Sequence, residues 1–198
     1  MSLVFDVLSG EGIAPFVPDL ARLRVGVFRD WPYLYEGSLD YERKYLAKYV
    51  RLARATVVLA RDGDAVVGAS TALPLVEAEA ELRAPFLDAG LDPAEVYYYG
   101  ESVLLAPYRG RGAGVRFFAE REVRARALGF GYATFCGVVR PPDHPARPPD
   151  YVPLDAFWTK RGFVPRPDLM ASFEWRDVGG TVPTRKPMAF WLKSLRHG

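Results

Sequence analysis

Apolar residues alternate with polar ones from Leu3 to Leu8, which predicts a first strand, and then the period lengthens. From Ala14 to Arg29 the apolar positions Leu20, Leu23, Val27 and Phe28 carry helical spacing, and the run stops at Asp30-Trp31-Pro32, since a residue before proline is pushed out of the helical region. Ser38 or Asp40 caps a second predicted helix to about Leu52, with Tyr41, Tyr45 and Tyr49 at four-residue steps. Period two returns in Thr56 to Arg61 and Ala65 to Leu73, joined by the hairpin signal Asp62-Gly63-Asp64. Glu77 to Ala89 reads as an inserted helix closed by Gly90.

The longest predicted strand is Val96 to Ala106, followed by a helix from Gly112 to Leu128 that Gly129 ends. Its predicted apolar stripe is Val115, Phe118, Ala119, Val123 and Ala125, with Glu122 and Arg126 paired at its edge. Tyr132 to Val139 is another strand. Arg140 to Pro153, RPPDHPARPPDYVP, holds too many prolines for regular structure and reads as a stiff loop over a cleft. A short helix (Leu154 to Arg161), a turn at Gly162 and strands at Ala171 to Asp177 and Pro187 to Leu195 complete the chain. No segment repeats. One strand-helix-strand unit among more numerous strands predicts a mixed α/β sheet with helices on both faces.

Composition narrows the function. The 198 residues are 49% hydrophobic, enough to bury one sizeable core, so residues 1–198 are expected to form a single domain. A net charge of +2 arises from 26 basic and 24 acidic residues spread along the chain, which speaks against nucleic acid or an acidic membrane as partner. No apolar run is long enough to span a bilayer and the N-terminus lacks a signal-peptide pattern, so a cytoplasmic location is expected. A lone cysteine, Cys136, and two distant histidines, His144 and His197, offer no metal-ligand spacing, and no metal is expected. Asn and Gln are absent altogether, as suits either a heat-tolerant source or a GC-rich genome.

The chemistry concentrates in Leu104 to Phe118, LLAPYRGRGAGVRFF. A strand, a glycine-rich turn and a helix start leave several N–H groups pointing at one spot, where the helix dipole also favours negative charge. Gly110, Gly112 and Gly114 free the backbone, and Arg109 and Arg111 add charge. The stretch lacks the Gly-Lys-Ser/Thr of a P-loop, and Phe117 stands where a dinucleotide fingerprint needs its third glycine. It does read Arg-x-x-Gly-x-Gly (Arg109, Gly112, Gly114), and FWTKRGF (Phe157 to Phe163) follows roughly 50 residues later as a short helix ending in Gly-Phe. Together these resemble the GNAT superfamily of acyl-CoA-dependent N-acetyltransferases, over nearly the whole chain.

The resemblance implies a three-layer αβα fold around a twisted, mostly antiparallel sheet of about seven strands, splayed between its two central strands. It implies acetyl-CoA, or another acyl-CoA, as co-substrate, with its diphosphate on the amides of Arg109, Gly110, Arg111, Gly112, Ala113, Gly114 and Val115. The pantetheine arm would lie between Val103, Leu104 and Leu105 on one strand and Phe135 to Val138 on the other. The reaction would be direct attack of a primary amine on the thioester through a tetrahedral intermediate. That asks for a base near the ammonium, whose ordinary pKa is about 10.4, a donor for the oxyanion and an acid for the thiolate. Strand alternation, unless a bulge intervenes, puts Glu101 on the same side as Tyr97 and Tyr99, where it could serve as base; a backbone N–H near Leu104 or Leu105 would be the oxyanion donor.

Many members of the superfamily carry a tyrosine acid four residues before the glycine of Gly-Phe. Trp158 occupies that position and is counted among the coenzyme-binding residues the resemblance implies; an indole is no proton donor to a thiolate, although its N–H can hydrogen-bond. Tyr151 is then the candidate acid, or water serves, or no acid is needed. A ping-pong nucleophile at Cys136 is the weaker reading, since strand cysteines are usually small core residues. The acceptor site is expected in the connection Arg29 to Tyr41, where Trp31, Tyr33 and Tyr35 alternate with carboxylates, together with Tyr99 and Glu101; aromatic faces and acids suit a cationic small-molecule or peptide amine. Folds of this kind often form homodimers, although the chain carries no interface signal. The alternative function is a domain that holds acyl-CoA without turnover, for which Trp158 is the argument.

Overall fold

The computed structural model describes residues 3–196. Its strands are β1 (Val4–Leu8), β2 (Thr56–Asp62), β3 (Ala65–Pro74), β4 (Val96–Leu104), β5 (Tyr132–Val138), β6 (Val164–Trp175) and β7 (Thr184–Ser194), joined in one sheet of order β1-β2-β3-β4-β5-β7-β6. Every neighbouring pair is antiparallel except β4 and β5. Those two central strands are parallel and pair only over Val96 to Tyr98 and Tyr132 to Thr134. Beyond that they part, leaving the backbone of Tyr99 to Leu104 facing a gap. The expected splay is therefore present.

Helices α1 (Val17–Phe28), α2 (Leu39–Arg51) and α3 (Ala80–Asp88) cover one face of the sheet; α4 (Ala113–Ala127) and α5 (Asp155–Thr159) cover the other. Under α1 to α3 the core joins Leu20, Leu23 and Leu46 to Val57, Leu59 and Leu73, and further along the sheet Phe86 to Phe190. Under α4 and α5 it is aromatic: Tyr97, Tyr99, Phe118, Phe135 and Phe163 pack edge to face, with centroids 5.5 to 6.3 Å apart for the Tyr97–Tyr99, Tyr99–Phe118 and Phe118–Phe163 pairs.

The structure departs from the sequence expectation at four places. The first helix is preceded by a 3-10 segment, Gly10–Phe16, which contains Pro15, and Pro18 stands in the first turn of α1, where its missing N–H costs no helical bond. The inserted helix likewise divides into a 3-10 turn, Leu75–Glu77, and α3. On α4 the buried residues are Ala113, Phe117, Phe118, Arg121 and Ala125; Val115, Ala119 and Val123 face outward. The buried stripe differs from the predicted one because it runs through Arg121, which by residue type belongs in solvent. Finally, β6 begins at Val164, seven residues earlier than expected. Its Pro165 and Pro167 are tolerated because β6 is an outermost strand bonded only to β7, where a missing N–H costs no ladder bond.

Candidate active site

The turn between β4 and α4 has the conformation its glycines suggest. Gly110 and Gly112 adopt φ of +75° and +85°, in the left-handed region that other residues avoid, and nothing lies within 4 Å of where a Cβ on either would sit. Gly112 is the N-cap of α4, and the first bond of the helix runs from the Arg116 N–H to its carbonyl. The amides of Ala113, Gly114 and Val115 precede that bond, so helix geometry leaves them without partners inside α4. An exposed concave turn of main-chain donors on a helix dipole is what a diphosphate requires. Arg109 leans across the mouth: its Nε donates to the Leu104 carbonyl at 3.2 Å and its Nη2 lies 3.5 Å from Asp30. The Arg111 guanidinium lies 5.6 Å from the centre of the Tyr108 ring, which in turn donates to Asp62 at 2.9 Å.

The two candidate oxyanion donors separate cleanly. Leu105 N–H donates to the Val67 carbonyl of β3 at 3.0 Å and is spent. Leu104 is one residue earlier and opposite Gly68, so antiparallel alternation turns its N–H away from β3 and toward the gap between β4 and β5. Val103 is buried on the α1 face. Opposite, Phe135, Cys136 and Gly137 of β5 line the gap, and the Trp158 indole covers them from α5. Its ring is 5.0 Å from that of Phe135 and 3.4 Å from where a Cβ on Gly137 would sit. Burial pushes the Cys136 thiol up to about 12, and Tyr98 Oη is 3.5 Å from its Sγ, as for a small group packed in the core.

A bulge overturns the expected alternation. The β3–β4 register slips between Ser70 and Ala72, with Ser70 opposite Ser102 but Ala72 opposite Tyr99. The side chain of Glu101 consequently points to the α1–α2 face, away from Tyr97 and Tyr99, which stay in the aromatic core under α4. Tyr99 is therefore removed from the acceptor side to which it was assigned. The slip is held from beneath by Arg121 of α4, whose guanidinium donates to the carbonyls of Phe117, Thr71 and Glu101 and to Ser102 Oγ at 2.8 to 3.3 Å. It lies over the Tyr99 and Phe118 rings, and burial pushes its pKa down to about 10.

On the other face Glu101 Oε2 pairs with Arg24 Nη1 of α1 at 2.6 Å, and Arg24 Nε pairs with Glu42 of α2. Burial would lower the Arg24 pKa, but the carboxylates of Glu101 and Glu42 hold it well above its ordinary value. Both carboxylates are buried, and Oε1 of each has no hydrogen-bond partner. Tyr45 lies under the guanidinium, 4.4 Å from ring centre to Cζ. Sequence reading missed Arg24, Glu42 and Arg121. A signal was present: each sits on the apolar stripe of its helix, Arg24 between Leu20 and Phe28, Glu42 four before Leu46, Arg121 between Phe117 and Ala125.

The connection from Arg29 to Tyr41 and the proline loop meet above this cluster. Trp31 packs on His144 (5.1 Å between centroids) and edge-on to Tyr151 (5.9 Å), so Tyr151 does reach the 29–41 connection. Arg140, at the loop's start, donates to the carbonyls of Pro32 and Tyr33 and grips Asp177 with two bonds of 2.8 and 3.0 Å. Tyr33 lies between Phe28, to which it is tilted, and Trp175, on which it stacks, and Tyr35 bridges to Asp177. Burial, aided by the Glu42 carboxylate, raises the Tyr35 phenol far above its ordinary value; burial also raises Tyr33 and Tyr151, so all three hydroxyls stay protonated at neutral pH. Among the described residues no group of three or more His, Cys, Asp and Glu could hold a metal, and His197 lies outside them. No helix among them is long and apolar enough to cross a membrane.

No protein-family model matches the sequence, and no curated protein matches it. Solved structures do match over the full length. The ribosomal-protein-alanine N-acetyltransferase from Brucella melitensis is 15% identical with a TM-score of 0.62, over 97% of this chain and 99% of its own. The Salmonella typhimurium protein yncA, solved with its cofactor acetyl-CoA, is 10% identical with a TM-score of 0.60, over 100% of this chain and 96% of its own. An acetyltransferase from Thermus thermophilus is 16% identical with a TM-score of 0.56, over 98% and 97%. With its seven-stranded, mostly antiparallel sheet, splayed where β4 and β5 part beside a glycine-rich helix start, this chain has the fold of the GNAT acetyltransferases.

Proposed function

We propose that the chain is an acyl-CoA-dependent N-acyltransferase, with acetyl as the acyl group, that acts on a primary amine. The observation that carries the reading is the cradle of amides from Gly110 to Val115 placed directly beyond the gap between β4 and β5. The residues fit an acyl-CoA: Arg109, Arg111 and the helix start for the diphosphate, Leu104 and Leu105 with Phe135 to Val138 along the arm. The Leu104 amide is aimed to donate to the developing oxyanion. Glu101 receives the acceptor nitrogen and, directly or through water, its proton. Nitrogen adds to the acyl carbon and the carbonyl π pair moves to oxygen, giving a tetrahedral oxyanion; its collapse re-forms the carbonyl and breaks the carbon–sulfur bond, and the departing thiolate takes a proton. Trp158 covers the gap as an apolar wall, and Tyr151, whose hydroxyl keeps its proton, is the donor in this reading.

Thermal-shift titration with acetyl-, propionyl- and longer acyl-CoAs tests the first half. A saturable rise in melting temperature is expected, and no shift with any thioester sinks the assignment. Thiol release on a panel of primary amines tests the second.

A further inference from the structure

We infer that Trp158 sets the length of the acyl group, closing the deep end of the gap to a chain longer than that of acetyl; the inference deepens the acyl-transfer reading above and rests on it. With the diphosphate on the cradle beyond Leu104, the arm enters from the open end of the gap. Its thioester then lies toward the closed end, where Tyr98 and Thr134 are the last paired residues of β4 and β5. Exposure falls along the same course. Leu104, Gly137, Val138 and Trp158 are half-buried, whereas Tyr99 and Phe135, deeper in, are buried. The indole stands at this boundary.

Both sides of the closed end are filled. On the α4–α5 side the Phe135 ring lies 4.9 Å from Phe163 and 5.0 Å from Trp158, and Trp158 lies 5.2 Å from Trp191, all between ring centres. Phe135, Phe163 and Trp191 are buried and packed as a finished core, so Trp158 is the member of this cluster that meets the gap. Gly137 admits the indole: a Cβ there would meet Trp158 Cη2 at 3.4 Å, so the ring lies against the main chain of β5. On the α1–α2 side stand the buried Tyr98, Cys136 and Glu101, the last paired with Arg24 at 2.6 Å. A longer acyl chain would press on an ion pair from one side or on the indole from the other. Forcing extra methylenes into packed space costs binding, so chain length is read by shape.

Calorimetric titration with coenzyme A and its acetyl, propionyl, butyryl and hexanoyl thioesters tests this without an acceptor amine. Wild-type affinity is expected to fall about tenfold or more between acetyl and butyryl. Trp158→Phe should move the tightest thioester to propionyl or butyryl. Trp158→Ala should tighten hexanoyl-CoA at least about tenfold, with coenzyme A itself held within about twofold of wild type in both variants. The inference is overturned if the wild type binds butyryl- or hexanoyl-CoA as tightly as acetyl-CoA, or if a Trp158 variant with a native melt keeps the wild-type order. Trp158→Phe retains a ring against Phe135 and decides should Trp158→Ala fail to fold. Coenzyme A separates the two readings. If neither it nor any thioester binds, the acyl-transfer reading fails and takes this inference with it; if it binds while chain length goes unread, this inference alone fails.

Discussion

Two arginines bracket the bulge in β4, one from each face, and they are wired in opposite ways. Arg121 is held entirely by neutral acceptors, three carbonyls and a hydroxyl, and burial draws its pKa down to about 10. Arg24, 13% exposed, is held by two carboxylates that raise its pKa in spite of burial. Neutral dipoles fix a position without concentrating negative charge, whereas two carboxylates on one guanidinium gather it on one face, with Glu101 also felt by Arg121 through the sheet. The α4 face therefore carries shape and the α1–α2 face carries charge, and the slipped register turns Glu101 from the first to the second.

Breaking the charged face should have the largest effect. Glu101→Gln is expected to cut kcat at least about a hundredfold while acetyl-CoA affinity stays within about twofold, measured by steady-state thiol release and thermal shift. Breaking the neutral face should cost stability instead. Arg121→Met orphans the Thr71 and Glu101 carbonyls, with a loss of about 3 kcal/mol in urea unfolding and a secondary loss of turnover as the bulge relaxes.

Asp177→Asn sharpens the contrast by loosening only the hold of Arg140 on the connection from Arg29 to Tyr41. Burial would raise the Asp177 carboxyl, but Arg140 and Lys186 hold it below the ordinary carboxylate range. Its contribution is therefore full above about pH 4 and is lost as the pH falls through the lower native value. The variant should be about 1 to 2 kcal/mol less stable at pH 7, with the gap closing toward about pH 2, and should raise the amine KM without changing coenzyme affinity. The smallest effect is expected from Gly112→Ala, at φ +85°: about 1 kcal/mol by thermal melt, with weaker acetyl-CoA binding as the cradle distorts.

The hairpin at Asp62-Gly63-Asp64, the Ser38 cap and the glycine helix start were legible in the sequence because each is a local signal whose residues also enforce the conformation. So was the parting of β4 and β5, through the resemblance that the glycine loop and Gly-Phe turn carry. The direction of Glu101 was not, since a register slip depends on which residues of β3 lie opposite, and alternation along β4 alone puts the side chain on the wrong face. The buried charges were hidden for a related reason. An arginine among Arg116, Glu120, Glu122 and Arg124 reads as one more solvated group until the residues packed above it, here Thr71 and Ser102 some 50 and 19 positions earlier, are known.

The prolines of β6 have a consequence for the molecule in company. An outermost strand offers bare amides and carbonyls to any passing chain, and two residues that lack an amide hydrogen blunt that invitation along Val164 to Pro167. This flank of the sheet is thus insulated against fibre-like stacking at high concentration, through residues that in the bare sequence look only like an obstacle to folding.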